Sequence, residues 1–248
     1  MSLFSRFYPE IGAGGYSRVD GSVEFYTRIR ALLDPQMRVL DFGAGRGWAV
    51  VDDPNRLRRR LANLKGACAR VVGIDVDPAV RANPGLDEAV VIEPGDPLPF
   101  GSASFDLIVS DHVFEHLDDP VATASELDRV LKPGGWICAR TPNRSGYIAI
   151  GARLVPNGLH ARVLRRLQPG RQALDVFPTR YRLNTRAALR RHFPLDRYRH
   201  CTYGFNAEPT YVGRADALWL LLWTWLRLAP ETLCATWFVF LQKQPEGS

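Results

Sequence analysis

Lysine is nearly absent from this chain of 248 residues: Lys65, Lys132 and Lys243 are the only three, so arginine carries almost all of the positive charge. Such usage across a whole chain reflects genome composition as readily as function, which makes the position of the arginines the informative quantity. Cysteine is also sparse. Cys68, Cys138, Cys201 and Cys234 stand far apart with no C-x-x-C among them. A zinc ribbon, a redox pair and a disulfide framework are thereby disfavoured, and buried free thiols are expected. Long hydrophobic runs are missing. The longest, ALWLLLWTWL at 217–226, is about half of what a bilayer span needs. The opening MSLFSRFYPEIGAGG has no apolar core of a secretory signal, so a cytoplasmic location is expected. Repeats and low-complexity segments are absent as well.

What is present fits an ordinary globular chain. Apolar residues make up 46% and the net charge is +6. The length suits one large α/β domain with decorations, or two small domains. Between Arg153 and Arg199 lie twelve arginines against only Asp175 and Asp196. Such a block suits an anionic substrate, a membrane surface or nucleic acid, or else a solvated face with ion pairs elsewhere in the fold.

Short apolar strands alternate with helical patterns from residue 22 to 143. SVEFYTRIRALL has helical periodicity. RVLDFGAGRG reads as a strand ending in glycines, and RLRRRLANL as a helix on its far side. ARVVGIDVDP, EAVVIEPGD and SFDLIVSD read as further strands. VATASELDRVL is a helix stopped by KPGG, and WICARTPN is a fifth strand. Alternation of this kind implies right-handed crossovers and a mostly parallel sheet covered on both faces. Beyond it, NTRAALRRHF reads as a helix with Asn184 or Thr185 as its cap. DRYRHCTYG and ATWFVFLQKQ read as two strands that finish the sheet antiparallel.

Two carboxylates and a glycine turn carry the chemistry. Asp41-Phe42-Gly43-Ala44-Gly45-Arg46-Gly47 directly follows a strand. Its glycines permit a tight turn and close approach of backbone to a ligand. The third glycine comes one residue too early for a dinucleotide fingerprint, with Trp48 in its place, which weakens a nicotinamide reading. Asp75 ends the next strand, where a carboxylate can accept both hydroxyls of a ribose. Asp77, just before Pro78, suits a helix cap better.

Taken together, VLDFGAGRG, VVGIDVDP, GDPLPFGSASFDLIVSDHVFEHLDDP and ELDRVLKPGGWICARTPN resemble the class I S-adenosylmethionine-dependent methyltransferases, especially the group with the ubiquinone and menaquinone biosynthesis enzymes. The resemblance spans about 38–143. It implies a Rossmann-like fold with a mostly parallel seven-stranded sheet, helices on both faces and an antiparallel last strand. It implies one domain over 1–248, with a cofactor core at about 22–143 and substrate-cap insertions at about 144–182 and 204–234. The cofactor would be S-adenosyl-L-methionine. Asp41, Gly43, Ala44, Gly45 and Gly47 would hold its methionine part, Asp75 its ribose, and Val76 its adenine. Asp96 would meet the adenine amino group with Leu98 nearby, and Ser110 would lie beside the cofactor's amino group. The segment between Gly47 and Arg70 departs from the family pattern in length.

One stretch invites a different reading. SDHVFEHLDDP contains H-x-x-E-H, a zinc-peptidase spacing when helical. Pro120 leaves only about two turns of helix, and no distinctive third ligand follows, so no metal is expected. His112 and His116 are instead candidate catalytic bases, with His160 a third. The expected activity is methyl transfer to an O, N or C atom of a small-molecule, lipid-linked or sugar-linked acceptor. The alternatives are a catalytically silent binding module and, from the arginine block alone, a nucleic-acid methyltransferase. No NPPY-like or DPPY-like stretch follows the fourth strand, so nucleic acid is not expected as a partner. In ADALWLLLWTWLRLAP, Leu218, Leu221, Leu222, Trp225 and Leu228 share a helical face, but Trp219, Leu220, Trp223 and Leu226 fall largely elsewhere. The helix is thus apolar nearly all round and is expected to pack between the sheet and the Arg153–Arg182 insertion or in a dimer contact. A sharper reading makes this helix a lid for an apolar acceptor, with Arg180 and Arg182 at an anionic head group and a peripheral contact to anionic membrane.

Overall fold

The computed structural model describes residues 3–147, 149–150, 178–209 and 216–245. His160 and five of the twelve arginines of the arginine-rich stretch (Arg153, Arg162, Arg165, Arg166 and Arg171) therefore lie outside the described residues. Five parallel strands form the centre: β1 (Arg38–Phe42), β2 (Arg70–Asp75), β3 (Glu88–Val91), β4 (Phe105–Asp111) and β5 (Leu131–Pro142). β8 (Thr236–Lys243) then pairs antiparallel with β5. β6 (Tyr198–His200) and β7 (Tyr203–Phe205) share the outer edge of β8, opposite its two ends. The order is β3-β2-β1-β4-β5-β8-β6, with β7 beside β6 on the same edge. The sheet is thus seven positions wide, and the last position is broken at Cys201–Thr202. DRYRHCTYG reads as one strand in sequence; in the structure it is two.

Alternate residues of each central strand go to opposite faces, as the pleat requires. Val39, Val71, Leu107, Val109 and Cys138 meet Phe25, Tyr26 and Ile29 of α2 (Gly21–Leu32). Leu40, Ile74, Ile108 and Ala139 lie on the other face with α5 (Pro120–Val130) and α6 (Arg186–His192). Phe25 and Ile29 are fully buried, each contributing about 1.5–3 kcal/mol through area removed from water. Helix starts follow their caps. Asp20 accepts from Ser22 N and Val23 N, and Asp119 accepts from Val121 N and Ala122 N ahead of Pro120 at the first helical position. Thr185, not Asn184, caps α6. Asn184 is instead fully buried, donating to Pro142 O at 3.0 Å.

Two further helices, α3 (Trp48–Val51) and α4 (Arg56–Ala62), fill the stretch after the glycine turn. The α7 helix (Asp216–Leu228) does not pack through the face that Leu218, Leu221, Trp225 and Leu228 share. Trp219 and Leu226 are buried, while Leu218, Leu221, Trp225 and Leu228 are exposed. Trp219 and Trp223 meet the Phe7 ring of α1 (Leu3–Phe7), with centroids at 5.3 and 4.7 Å, and Trp219 also meets Tyr8 at 6.4 Å. Both faces of the central sheet are already covered by α2, α5 and α6. The tryptophans, which bury the most area and gain from ring contacts, decide the orientation.

Candidate active site

The carboxyl ends of β1, β2 and β4 converge on one crevice. The turn after β1 begins with Gly43 N and Ala44 N donating to Ile74 O at 2.9 and 3.0 Å. Gly43, Gly45 and Gly47 all adopt positive φ, at 78°, 51° and 84°. A Cβ on Gly43 would stand 2.3 Å from Val113 Cγ2, and one on Gly47 would stand 2.4 Å from Asn83 Oδ1. Gly45 is different: a Cβ there would meet nothing within 4 Å. The middle of the turn therefore presents bare backbone to open space.

Asp75 braces this turn from β2. Its Oδ2 accepts from Gly45 N and its Oδ1 from Asp77 N, both at 2.8 Å. Each oxygen keeps a further lone pair for a ligand donor. Asp77 caps the short helical turn at Pro78–Ala82 by accepting from Ala79 N. Val76 is 42% exposed beside Asp75. Asp96 is exposed on the turn after β3, whereas Leu98 is buried in the core, its N–H donating to Glu126 Oε2 at 2.7 Å.

The tip of β4 adds a second layer of charge. Asp111 is gripped twice by Arg140, whose Nε and Nη2 donate to its two oxygens at 2.7 and 2.6 Å. Tyr26 Oη also donates to Asp111, at 3.1 Å. Burial raises the Asp111 pKa, but the Arg140 and His112 charges outweigh it and the net shift is downward. Asp41, one strand over, has no such support. Among the described residues no donor bonds its carboxyl. Burial, Asp111 and Asp75 together push its pKa from 3.8 to about 7. Ser110 is fully buried, and its Oγ has no hydrogen-bond partner.

The H-x-x-E-H stretch is a series of turns, not a helix. His112 sits at φ 60°, left-handed backbone that a non-glycine residue adopts at a cost of about 1–3 kcal/mol. Its N–H is held by Arg140 O at 2.8 Å. Its Nδ1 lies 3.3 Å from Glu115 Oε1, and Nε2 lies 3.7 Å from Asp111 Oδ1. Glu115 is buried, and Thr141 Oγ1 donates to its Oε2 at 2.9 Å. Burial raises the Glu115 pKa, yet the hydrogen bond and charge of His112 win and hold it below the ordinary range. His116 turns away, donating from Nδ1 to Pro178 O at 2.9 Å. Its Nε2 still lies 4.0 Å from Glu115 Oε1, so both imidazoles flank the same carboxylate, His112 more closely. Among the described residues, no group of three or more His, Cys, Asp or Glu is placed to hold a metal ion.

Two contributors escape sequence reasoning. Asn83 is buried and donates to Ala44 O and Gly45 O at 3.0 and 3.2 Å, fixing the glycine turn from below. Nothing local in RANPG marks it for that task. Arg140 was discoverable in principle: a charge inside the apolar strand WICART requires a buried partner.

Residues 40–139 match the family model described as a methyltransferase domain. A probable S-adenosylmethionine-dependent methyltransferase of Mycolicibacterium smegmatis is 37% identical over 133 residues, covering 51% of this chain and 46% of that protein. A ubiquinone biosynthesis O-methyltransferase of Brucella anthropi is 31% identical over 132 residues, covering 50% and 52%. The chain thus spans about half the length of these curated relatives. The crystal structure of the YcgJ protein of Bacillus subtilis superposes with a TM-score of 0.54 at 16% identity, covering 90% of this chain and 99% of that one, which establishes the shared fold. The strand order with its single reversed strand and the superposition agree on the fold, and the family match falls on residues 40–139, the stretch that carries the glycine turn and Asp75.

Proposed function

We propose that the protein transfers a methyl group from S-adenosyl-L-methionine to a hydroxyl-bearing small molecule, with His112 as the base. The observation that carries the reading is the crevice itself. Bare backbone at Gly45 is braced by Asp75, and three carboxylates, Asp41, Asp75 and Asp111, surround it; among the described residues only Asp111 of the three is paired to an arginine. An anionic crevice of this kind fits a ligand with a sulfonium and an ammonium group. An orphaned Ser110 Oγ and an unpaired Asp41 carboxyl are groups such a ligand would satisfy. Asp41, Gly43, Ala44, Gly45 and Gly47 would hold the methionine part, with Ser110 beside its amino group. Asp75 would take the ribose hydroxyls. Val76 and Asp96 would flank the adenine, with Leu98 supporting that wall from the core.

Bound there, the cofactor supplies an electrophilic methyl group, so the protein's task is alignment and proton removal. Glu115 accepts from His112 Nδ1, which leaves Nε2 to take the acceptor's proton. His116, tied to Pro178 O, has a supporting role at most. The exposed apolar side of α7 supports an apolar or lipid-linked acceptor, and an anionic membrane surface would be its peripheral contact. No helix among the described residues is long and apolar enough to cross a membrane.

The test is incubation with methyl-labelled S-adenosylmethionine and a panel of phenols, alcohols, carboxylic acids and amines. Label is expected in a hydroxyl-bearing, apolar acceptor. His112→Ala should lower kcat by about 10²–10⁴-fold with little change in KM. Label that stays in the cofactor across the panel, while S-adenosylhomocysteine still binds, would favour a silent binding module instead.

A further inference from the structure

A second cluster of charge lies on the flank of the domain, away from the cofactor crevice. A cleft of about 520 Å³ opens between the end of α2 and α4. Arg30, Arg56, Arg59, Arg60 and Lys65 line it together with Asn63, and no acidic residue does. Three of the five cations are anchored by backbone carbonyls. Arg30 closes the end of α4, donating to Leu61 O at 2.9 Å and to Arg60 O at 2.6 Å. Arg59 donates to Asp53 O, and Lys65 to Leu86 O at 2.6 Å.

Arg56 and Arg60 differ. Both are exposed, and among the described residues neither guanidinium meets a carboxylate. The nearby acids have other partners: Asp52 pairs with Arg46, Asp53 with Arg58 at 2.8 Å, and Asp87 with Lys65, itself on the cleft, at 3.6 Å. Burial and the Arg60 charge both depress the Arg30 pKa, as expected where like charges are crowded without relief. The crevice at the strand ends leaves this cluster without a role, and among the described residues Lys65 alone of its five cations has a carboxylate partner.

We propose that this cleft is a binding site for a small molecule carrying two linked phosphate groups. Arg56 and Arg60 stand one turn apart on the same face of α4, about 5–6 Å between their Cβ atoms. That spacing lets each guanidinium grip one of two adjacent phosphates through paired hydrogen bonds. The anchored cations Arg30, Arg59 and Lys65 supply the surrounding positive field. The five cations face one open cleft at the end of α4 and not an extended track across the domain, which favours a compact diphosphate over a nucleic-acid strand. The inference does not depend on the methyl-transfer reading.

Calorimetric titration of the full chain with inorganic pyrophosphate tests it, with orthophosphate and a single-stranded RNA oligonucleotide run alongside. Saturable one-to-one binding of pyrophosphate is expected, at least about tenfold tighter than orthophosphate. The double variant Arg56→Gln/Arg60→Gln should weaken it by about tenfold or more, with unchanged circular dichroism and Tm, because both side chains are exposed. Saturating S-adenosylhomocysteine should leave pyrophosphate binding intact. Absence of saturable heat, full affinity in the double variant, displacement by S-adenosylhomocysteine, or RNA binding that pyrophosphate does not compete would each overturn the proposal.

Discussion

Asp41 should make cofactor affinity depend on pH near neutrality. Burial, Asp111 and Asp75 raise its pKa to about 7 in the free protein. Its charged form lacks a hydrogen-bonded partner there, and the ammonium group of a bound ligand would supply one. Ligand binding then favours the ionised carboxylate and expels the proton. Below pH 7 the free protein must first lose that proton, so affinity falls as pH falls. If the bound-state pKa returns toward the ordinary value, affinity for S-adenosylhomocysteine drops about tenfold from pH 8 to pH 6, about 1.4 kcal/mol. About half a proton should be released on binding at pH 7. Calorimetry in two buffers of different ionisation enthalpy reads both quantities. Asp41→Asn removes the titration and keeps the shape, and it also reports the ligand's own titration. The difference between wild type and variant isolates Asp41. Equal pH slopes in the two proteins would refute the reasoning. The same raised pKa bears on stability. A carboxyl whose folded pKa lies above its unfolded value contributes stability below about pH 4 that is lost as pH rises through about 7, so the unliganded protein should be less stable at pH 8 than at pH 6 by this contribution.

Two other outcomes follow from packing. Gly47→Ala forces a Cβ to within 2.4 Å of Asn83 Oδ1 at φ 84°; thermal or urea unfolding should show a loss of about 1–3 kcal/mol, accompanied by weaker cofactor binding as the turn shifts. Trp219→Ala should cost about 3–5 kcal/mol, whereas Trp225→Ala, at a site 45% exposed, should leave the unfolding midpoint nearly unchanged; the reverse order would mean that the helix packs through its Trp225 face.

The central sheet was legible because each strand is short, continuously apolar and punctuated by glycine, aspartate or proline. Asp75 stood out for the same reason: a carboxylate at the end of VVGI has no place in a core. The α7 orientation was not legible, since a helix apolar nearly all round offers more than one side that could be buried. Its side is chosen by Phe7 and Tyr8, more than 200 residues earlier in the chain. Asn83 was hidden for a similar reason, because its partners Ala44 and Gly45 are brought to it only by the β1–β2 pairing. The H-x-x-E-H spacing misleads when a helix is assumed; positive φ at His112 turns its ring toward Glu115 and Asp111 instead.

Binding of an adenosyl amino acid in the crevice is the property on which every role given to Asp41, Asp75 and Ser110 depends. Titration of the purified protein with S-adenosylhomocysteine should give one-to-one binding in the micromolar range, about −8 kcal/mol. Asp75→Ala should weaken it by about 1–3 kcal/mol, the worth of hydrogen bonds to a charged group. No heat and no thermal shift at millimolar ligand, from a protein shown to be folded, would mean that the crevice does not bind the cofactor.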